Sequence, residues 1–291
     1  CGESGGGVDT LALMTTPRAR GLFRRAIVQS GLGWAPPRTL AESEAAGVAL
    51  ATRLGLPANA SAAQLRTLDA AALTAAGLVS GGGAGPTVDG RMFTRSPTQA
   101  FARGLAVDVP LIIGSNSNEA SLAGPRVLAI AAAASPALRA AYDGVTPEAE
   151  LGRQLFNDGV MGAPARWIAR RMAGGAPSWL YYFSYVPERQ RQTRPGTNHA
   201  SEVPFVFDSL DSVPGRTPLI TPSEREAARL IHSCWVAFAR TGRPSCDGQA
   251  WPAYRPSTDQ LLEIGIETGV RTHFRARQLD AHERENAALL R

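Results

Sequence analysis

The first residues of the chain, Gly2-Glu3-Ser4-Gly5-Gly6, fit the G-x-S-x-G pattern that places a serine nucleophile on a sharp turn between a strand and a helix. The pattern predicts a helix over residues 5–16. Its free N-terminal amides favour a developing negative charge, so the Gly5 N–H is a candidate oxyanion donor. Glycines on both sides of Ser4 are expected because the turn brings neighbouring backbone close. An isolated pentapeptide of this kind is more often a plain turn, so other residues must support the interpretation.

A serine nucleophile needs a base, and the chain has four histidines. His232 lies in a helical pattern, where a packed or surface histidine is the usual finding. His273 and His282 lie in an arginine-rich, polar stretch and are predicted to be solvated. His199 stands in a loop, with turn residues before it and an apolar run after it. The loop leaves its imidazole free to reach a distant serine, and His199 is therefore the candidate base.

The acid should follow the carboxyl end of a strand, because that is where the crevice of an open α/β sheet lies. Residues 109–114 form an apolar, β-branched run that predicts a strand, and Glu119 stands in the loop after it. Asp108 precedes the same strand and is expected at the opposite edge. Asp89 is the weaker alternative, because its Asp-Gly pair already explains it as a turn residue. Glu119 is therefore the candidate acid.

These candidates belong to a longer series of motifs. The series is Gly2-Glu-Ser-Gly-Gly6, Gly21-Leu-Phe-Arg-Arg-Ala-Ile-Val-Gln-Ser-Gly31, Pro86-Thr-Val-Asp-Gly90, Ile113-Gly-Ser-Asn-Ser-Asn-Glu119, His199-Ala-Ser-Glu-Val-Pro-Phe-Val-Phe207, Trp235-Val-Ala-Phe-Ala-Arg-Thr-Gly-Arg-Pro244 and Trp251-Pro-Ala-Tyr254. In this order the motifs resemble the type B carboxylesterase family, the cholinesterase-like and lipase-like branch of the α/β-hydrolases. The resemblance covers nearly the whole chain.

The resemblance implies a serine carboxylic ester hydrolase with Ser4 as nucleophile, Glu119 as acid and His199 as base, in the order that this fold requires. It also implies supporting roles for Ser30, by a hydrogen bond to the acid, and for Glu3. The chain departs from the family pattern in having glycine rather than alanine after the nucleophile. It departs again in the residues on either side of the acid, which are Asn118 and Ala120.

The resemblance also implies that part of the machinery lies elsewhere. Only Cys1 precedes the motif, so we expect the strand that feeds it to lie outside this chain, which would be the C-terminal part of the enzyme. The family takes its other oxyanion donors from a glycine-rich loop upstream, and no His-Gly-Gly-Gly sequence occurs here. The run at residues 81–83 follows the serine and is interpreted as an ordinary loop. We therefore expect the chain alone to be inactive or nearly so.

The elements that must position these residues follow an α/β pattern. Helices are predicted over residues 40–54, 62–76 and 223–240, and an aromatic strand over residues 179–185. The expected fold is the C-terminal part of an α/β-hydrolase, with a mostly parallel sheet flanked by helices. We expect one partial carboxylesterase domain over residues 1–291, with a helical insertion at about residues 120–176, between acid and base.

Composition excludes several other classes. All 30 basic residues are arginine, which excludes serine-lysine esterases, P-loop nucleotide binding and Schiff-base chemistry. The three cysteines have no C-x-x-C spacing and form no clear disulfide framework, so a metal site is not expected. The proposed catalysis needs no cofactor. The net charge of +5 comes from scattered arginines, and the clusters at residues 166–171 and 189–194 are interpreted as solvated faces rather than as a nucleic-acid site.

No apolar run is long enough to span a membrane, and neither secretion nor a cytoplasmic location follows from these residues. Two other functions share the same motifs. A cholinesterase-like binding module keeps the fold without catalysis, and a serine peptidase uses the same fold on amides. The retention of Ser4, Glu119 and His199 favours the esterase, whose partner would be a small-molecule ester.

Overall fold

A computed structural model describes residues 1–31, 34, 38–79, 85–213, 215 and 219–291. The chain divides into two compact units. The first comprises Cys1–Ala35 and Pro97–Arg291, and the second comprises Pro36–Ser96. The candidate nucleophile, acid and base all belong to the first unit.

A six-stranded sheet forms the centre of the first unit. In chain order the strands of the described residues are β1 (Gly2–Glu3), β2 (Ala26–Gln29), β3 (Arg38–Thr39), β4 (Thr87–Val88), β5 (Leu111–Asn116), β6 (Ser178–Phe183), β7 (Gln260–Ile264) and β8 (Gly269–Thr272). The order in the large sheet is β1-β2-β5-β6-β7-β8. Its pairs are parallel except for β7 with β8, which is antiparallel. The strands β1, β2 and β5 therefore end at one edge of the sheet.

The described part of the chain also contains twelve α-helices. They are α1 (Gly5–Thr15), α2 (Leu40–Arg53), α3 (Ala62–Leu65), α4 (Ala70–Val79), α5 (Pro97–Ala102), α6 (Val127–Ala133), α7 (Pro136–Ala140), α8 (Glu148–Phe156), α9 (Ala163–Met172), α10 (Val203–Val206), α11 (Pro222–Thr241) and α12 (Ala276–Glu285). A π-helical turn at Asn157–Gly162 joins α8 to α9, and a 3₁₀ turn at Glu119–Leu122 follows β5.

Two apolar layers hold the sheet between helices. On one side, residues of α1, α5 and α9 pack against alternate side chains of β2, β5 and β6. On the other side, α11 packs its buried face against the remaining side chains of the same strands. The residues of β5 are buried throughout, which is typical of a strand covered on both faces. The sheet edge that carries the candidate acid is therefore held rigidly.

Local sequence explains where α11 begins and ends. The Thr221 side chain accepts a hydrogen bond from the Glu224 N–H, and the Glu224 carboxylate accepts one from the Thr221 N–H. Pro222 occupies the first helical position. At the other end Gly242 takes a left-handed conformation, φ 82°, which stops the helix. The prediction of a helix over residues 223–240 is confirmed, with one further residue at each end.

The second unit contains α2, α3, α4 and the short parallel pair of β3 with β4. The prediction of one helix over residues 62–76 is wrong, because the structure has α3 and α4 separated by a break. The Asp69 carboxylate accepts the Ala72 N–H at 2.9 Å and so starts a new helix inside the predicted one. Helices predicted over residues 5–16 and 40–54, and strands over 109–114 and 179–185, are confirmed with shifted ends.

Three other interpretations change in the structure. Cys234 and Cys246 form a disulfide, although the sequence offered no clear framework. His282 is buried rather than solvated, with its Nε2 2.9 Å from the Tyr142 hydroxyl. Arg166 is also buried, because Asp259 and Asp280 neutralise it there. None of the described helices is long and apolar enough to cross a membrane.

Candidate active site

Ser4 stands in the sharp turn between β1 and α1. Its backbone has φ 54° and ψ −117°, a strained conformation for a residue with a side chain. Its N–H donates to the Gln29 carbonyl at 2.9 Å, which extends the pairing of β1 with β2 by one residue. Backbone strain of this kind is a recurring feature of functional sites, and it agrees with the turn that the motif predicts.

Close approach of backbone requires glycine at two positions near Ser4. A Cβ on Gly2 would lie 2.0 Å from the Gly6 oxygen, and a Cβ on Gly7 would lie 2.8 Å from the Gly31 Cα. At Gly5 and Gly6 a Cβ would meet open space. The expectation that glycines are required directly after Ser4 is therefore wrong for packing, and the crowded position after the serine is Gly7.

Glu119 lies just beyond the carboxyl end of β5, in the 3₁₀ turn, and is completely buried. One carboxylate oxygen, Oε1, accepts the Ser30 hydroxyl at 2.5 Å and the Asn116 N–H at 2.6 Å. The other oxygen, Oε2, lies 2.6 Å from Nδ1 of His199. The strand end thus fixes the carboxylate, and the carboxylate fixes the imidazole.

The loop that carries His199 runs beside the loop that carries Glu119. Asn118 forms an isolated parallel bridge with Asn198, its N–H donates to the Thr197 carbonyl at 2.8 Å, and the two asparagine side chains are bonded at 2.7 Å. The His199 N–H donates to the Ser121 hydroxyl at 3.0 Å. These bonds hold the acid and the base together over 80 residues of intervening sequence.

The imidazole faces Glu3 on its other side. His199 Nε2 lies 3.1 Å from Glu3 Oε1, although neither atom has a well-aligned hydrogen bond. Within the described part of the chain no hydrogen bond joins His199 to the Ser4 hydroxyl. The structure therefore brings together Glu119, His199, Ser30 and Glu3. Ser4 is not hydrogen-bonded to His199.

Charge and burial shift the pKa values of these groups. Burial raises the pKa of Glu3, and the charges of Glu202 and Glu119 raise it further, against the opposing effect of His199. Burial lowers the pKa of His199, but the hydrogen bond and charge of Glu119, with the charges of Glu3 and Glu202, outweigh it and leave that pKa above its ordinary value. The His199 ring therefore has a higher proton affinity than a free imidazole.

Glu202 is a functional candidate that the sequence reasoning missed. It is completely buried, its Oε1 accepts the Gln29 side-chain amide at 2.9 Å, and its Oε2 accepts the Asn116 side-chain amide. Burial raises its pKa. The available signal was a glutamate three residues after His199 in an otherwise apolar run, since such a charge needs a buried partner.

The other candidates have structural explanations. Asp89, in the second unit, accepts the N–H groups of the three residues from 91 to 93, so it closes its own turn. Asp108 accepts the Ala176 N–H at 2.6 Å, at the start rather than the end of β5. His232 bonds to the Val206 carbonyl at 2.8 Å, and His273 is exposed. The run at residues 81–83 lies outside the described residues.

A cavity of about 420 Å³ lies beside the His199 loop, with Gly196, Thr197 and Ser201 in its wall. Ser4, Glu119 and His199 do not line it. Across the ranges that the structure describes, no three histidine, cysteine or acidic side chains are grouped as metal ligands. The arrangement offers a histidine oriented by a buried carboxylate, near a serine on a strained turn.

Comparison with known proteins identifies a family for the chain. The sequence model of the Carboxylesterase family matches residues 1–143 and 147–282. The para-nitrobenzyl esterase of Bacillus subtilis is 29% identical over 288 residues, which cover 91% of this chain and 58% of that protein. Carboxylesterase 1C of Rattus norvegicus is 27% identical over 92% of this chain and 55% of its own length. The chain thus spans a little more than half of the relatives that it matches.

Solved structures of similar proteins have the same architecture. The carboxylesterase EST55 of Geobacillus stearothermophilus is 28% identical, with a TM-score of 0.77 over 96% of this chain and 62% of that one. A structure of a PNB esterase is 26% identical, with a TM-score of 0.74 over 97% of this chain and 62% of that one. The mostly parallel sheet flanked by helices is therefore that of an α/β-hydrolase.

Proposed function

This chain belongs to the carboxylesterase family, and from that membership and its site geometry we propose that it hydrolyses carboxylic esters through an acyl-enzyme intermediate. Ser4 is the nucleophile, His199 the base and Glu119 the acid. The observation that carries the proposal is the 2.6 Å contact of Glu119 Oε2 with His199 Nδ1, at the sheet edge where β1 delivers Ser4. A buried carboxylate held this way fixes an imidazole for proton transfer.

The chemistry begins at Nε2 of the imidazole. In neutral His199 the proton lies on Nδ1, which donates a hydrogen bond to the Glu119 carboxylate. Nε2 therefore has a free lone pair. The Ser4 oxygen attacks the ester carbonyl carbon while its proton passes to Nε2. His199 then gives that proton to the leaving alcohol, and the acyl group stays on Ser4. Water repeats the sequence on the acyl-enzyme, releasing the carboxylic acid and restoring the serine.

Negative charge on the carbonyl oxygen must be stabilised in each tetrahedral intermediate. The Gly5 N–H, in the first turn of α1, supports this role because the N-terminal amides of a helix are free donors. The sequence contains no His-Gly-Gly-Gly loop that could supply further donors. Since one such donor is worth about 10²- to 10³-fold in rate, we expect residues 1–291 alone to turn esters over very slowly.

The contact of His199 with Glu3 describes the resting site. For proton transfer Nε2 must come within about 2.6–3.2 Å of the Ser4 oxygen, and such bonds are often loose before substrate binds. Glu3 and Ser4 are adjacent in sequence, and we propose that Nε2 exchanges Glu3 for Ser4 when substrate binds. Glu3 then competes with Ser4 for Nε2, and its elevated pKa limits how often it does so in the charged form.

A fluorophosphonate probe tests the proposal, because it reacts only with an activated serine. We expect the full-length protein to be labelled on Ser4, and the label to be lost in Ser4→Ala. Ser233→Ala is the matched control, since the Ser233 hydroxyl donates within its own helix, to the Leu230 carbonyl at 2.8 Å. That variant should be labelled like the unmodified protein.

The outcomes separate the three functions. An unlabelled protein, under conditions where a known esterase reacts, would contradict the enzyme and favour a binding module. Comparable turnover of matched amide and ester substrates would favour a peptidase. Labelling with a strong preference for esters is the result that we expect.

A further inference from the structure

We propose that Asn157 is a positioning residue for Glu119, acting from the π-helical turn at Asn157–Gly162, an inference that rests on the triad proposed above. Asn157 is 7% exposed, and both polar atoms of its amide are used. Its Oδ1 accepts the Ala120 N–H at 2.8 Å, and its Nδ2 donates to the Ser117 carbonyl at 2.8 Å. The Asn157 side chain thus bonds to the backbone on both sides of Glu119, in the acid loop at residues 117–120.

The acid loop lacks a cap of its own. The 3₁₀ turn that starts at Glu119 has Asn118 in the cap position, and the Asn118 side chain makes no capping hydrogen bond. That side chain bonds to Asn198 in the base loop instead. The first N–H groups of such a turn have no partner within it. Asn157 therefore supplies from another element the cap that Asn118 gives up to hold the base loop.

Asn157 is the first residue of the π-helical turn, which lies between α8 and α9. The turn interrupts a helical run that continues from α8 into α9, and insertions of this type occur frequently at functional sites. Its second residue, Asp158, is buried and anchored by Arg275, at 2.6 Å, and by the Tyr142 hydroxyl, at 2.7 Å. The turn is thus fixed on one side by Asp158, and on the other it fixes the acid loop through Asn157.

The position of Glu119 decides how its charge acts on His199. Its Oε1 already has two donors, so the remaining freedom of the carboxylate is a shift or rotation of the whole loop. Without Asn157, the Ala120 N–H loses its side-chain acceptor and the Ser117 carbonyl loses one of its donors. We expect the loop to relax and the 2.6 Å contact with Nδ1 to lengthen.

The variants Asn157→Ala and Asn157→Asp test this role. Alanine removes both bonds, whereas aspartate keeps the acceptor for Ala120 but places an oxygen against the Ser117 carbonyl. We expect both to lower kcat about 10- to 100-fold with little change in KM, the size of effect that a misplacement of about 1 Å produces. Asn286→Ala is the matched control, because it removes an amide bond to the His282 carbonyl, at the end of α12 and far from the acid loop in sequence.

A second readout needs no turnover. NMR titration of the His199 ring nitrogens measures its pKa directly, and Glu119 is the main cause that raises it. In both Asn157 variants that pKa should move down toward its ordinary value, whereas in Asn286→Ala it should not move. Where Asn157→Ala does not fold, Asn157→Asp decides alone.

An unchanged His199 pKa and an unchanged kcat in a folded Asn157→Asp would overturn the positioning role and leave the proposed esterase untouched. Failure of the fluorophosphonate probe to label the unmodified protein, together with a lowered His199 pKa in the variants, would overturn the esterase but keep Asn157 as the residue that sets the contact of Glu119 with His199.

Discussion

His199 and His282 are both nearly buried, with 9% of the His199 side chain and 5% of His282 exposed, yet their surroundings shift the proton affinity in opposite directions. Burial lowers the pKa of both rings. At His199 three carboxylates reverse that effect, and the pKa ends above its ordinary value. At His282 the charges of Asp158 and Glu285 raise the pKa, but burial, helped by Arg275, outweighs them and the pKa stays below its ordinary value. Unbalanced negative charge, rather than burial, therefore raises the proton affinity of the His199 ring.

The two sites also differ in how completely their hydrogen bonds are satisfied. The Asp158 carboxylate, paired with Arg275, can only accept, so the Tyr142 hydroxyl donates its hydrogen bond to Asp158. The Tyr142 oxygen then accepts a hydrogen bond from Nε2–H of neutral His282. His199, in contrast, has an Nε2 without a well-aligned partner. A structural site closes its network, whereas the candidate catalytic site leaves one atom for the substrate step.

The largest effect on kcat should come from removing the charge of Glu119, the main cause of the raised His199 pKa. In Glu119→Gln the amide oxygen can still accept from Ser30 and the Asn116 N–H, so the amide NH₂ must face Nδ1. That forces the proton onto Nε2, which can then no longer accept from Ser4. We expect kcat to fall about 10³- to 10⁴-fold, as carboxylate-to-amide changes do in such triads, with the fold retained.

Steady-state hydrolysis of a p-nitrophenyl ester by the full-length protein, with circular dichroism as the fold check, measures that effect. Glu263→Gln is the control, since Glu263 in β7 accepts from Arg271 in β8 and from the Ser184 hydroxyl just after β6. These strands lie on the opposite side of the sheet from β1. Activity within tenfold of the unmodified protein in Glu119→Gln would show that another group orients His199.

Arg275→Met should make the surroundings of His282 more like those of His199. It leaves the Asp158 carboxylate buried with only Tyr142 as a partner, and removing one member of a buried pair costs about 3–5 kcal/mol. We expect about 3 kcal/mol less free energy of unfolding, because Arg275 is partly exposed. The unopposed Asp158 charge should also raise the pKa of His282 and make it resemble His199.

Urea unfolding monitored by tryptophan fluorescence measures the loss, and NMR titration follows His282. Arg271→Met is the matched control, since its ion pair with Glu263 is half-exposed and exposed pairs contribute about 0–1 kcal/mol. Equal losses in the two variants would mean that the Asp158 pair contributes no more than a surface pair. A His282 pKa that stays low would mean that burial alone holds it down.

The sequence predicted those parts of the site whose placement depends on strand ends. Ser4, Ser30 and Glu119 each follow a strand, and parallel strands deliver their carboxyl ends to one edge, so the structure places all three there. His199 was chosen because a loop histidine can reach that edge. The catalytic roles of these residues remain predictions.

The sequence could not predict contacts that depend on side-chain packing between distant elements. Glu202 bonds to Gln29, 173 residues away, and Asn157 bonds to Ser117, 40 residues away. His282 lay in a polar, arginine-rich stretch, and its packing against the π-helical turn and Tyr142 buries it. The polar surrounding sequence predicted that His282 is exposed. In the structure its ring is buried instead, with a hydrogen-bond partner in Tyr142.

The smallest expected effect is the pH dependence of stability, in which the two histidines act in opposite windows. His282 has a lowered pKa, so below its ordinary value of about 6.5 the unfolded chain binds the proton first, and its contribution to stability is lost as the pH falls. His199 has a raised pKa, so its contribution is complete below that value and is lost as the pH rises through the folded pKa. Urea unfolding at a series of pH values should therefore show a weaker decline on the acid side for His282→Gln, and a weaker decline on the alkaline side for His199→Gln. Curves for His282→Gln that run parallel to those of the unmodified protein below pH 6.5 would contradict the assignment, because a ring that stays neutral in the fold must oppose protonation there.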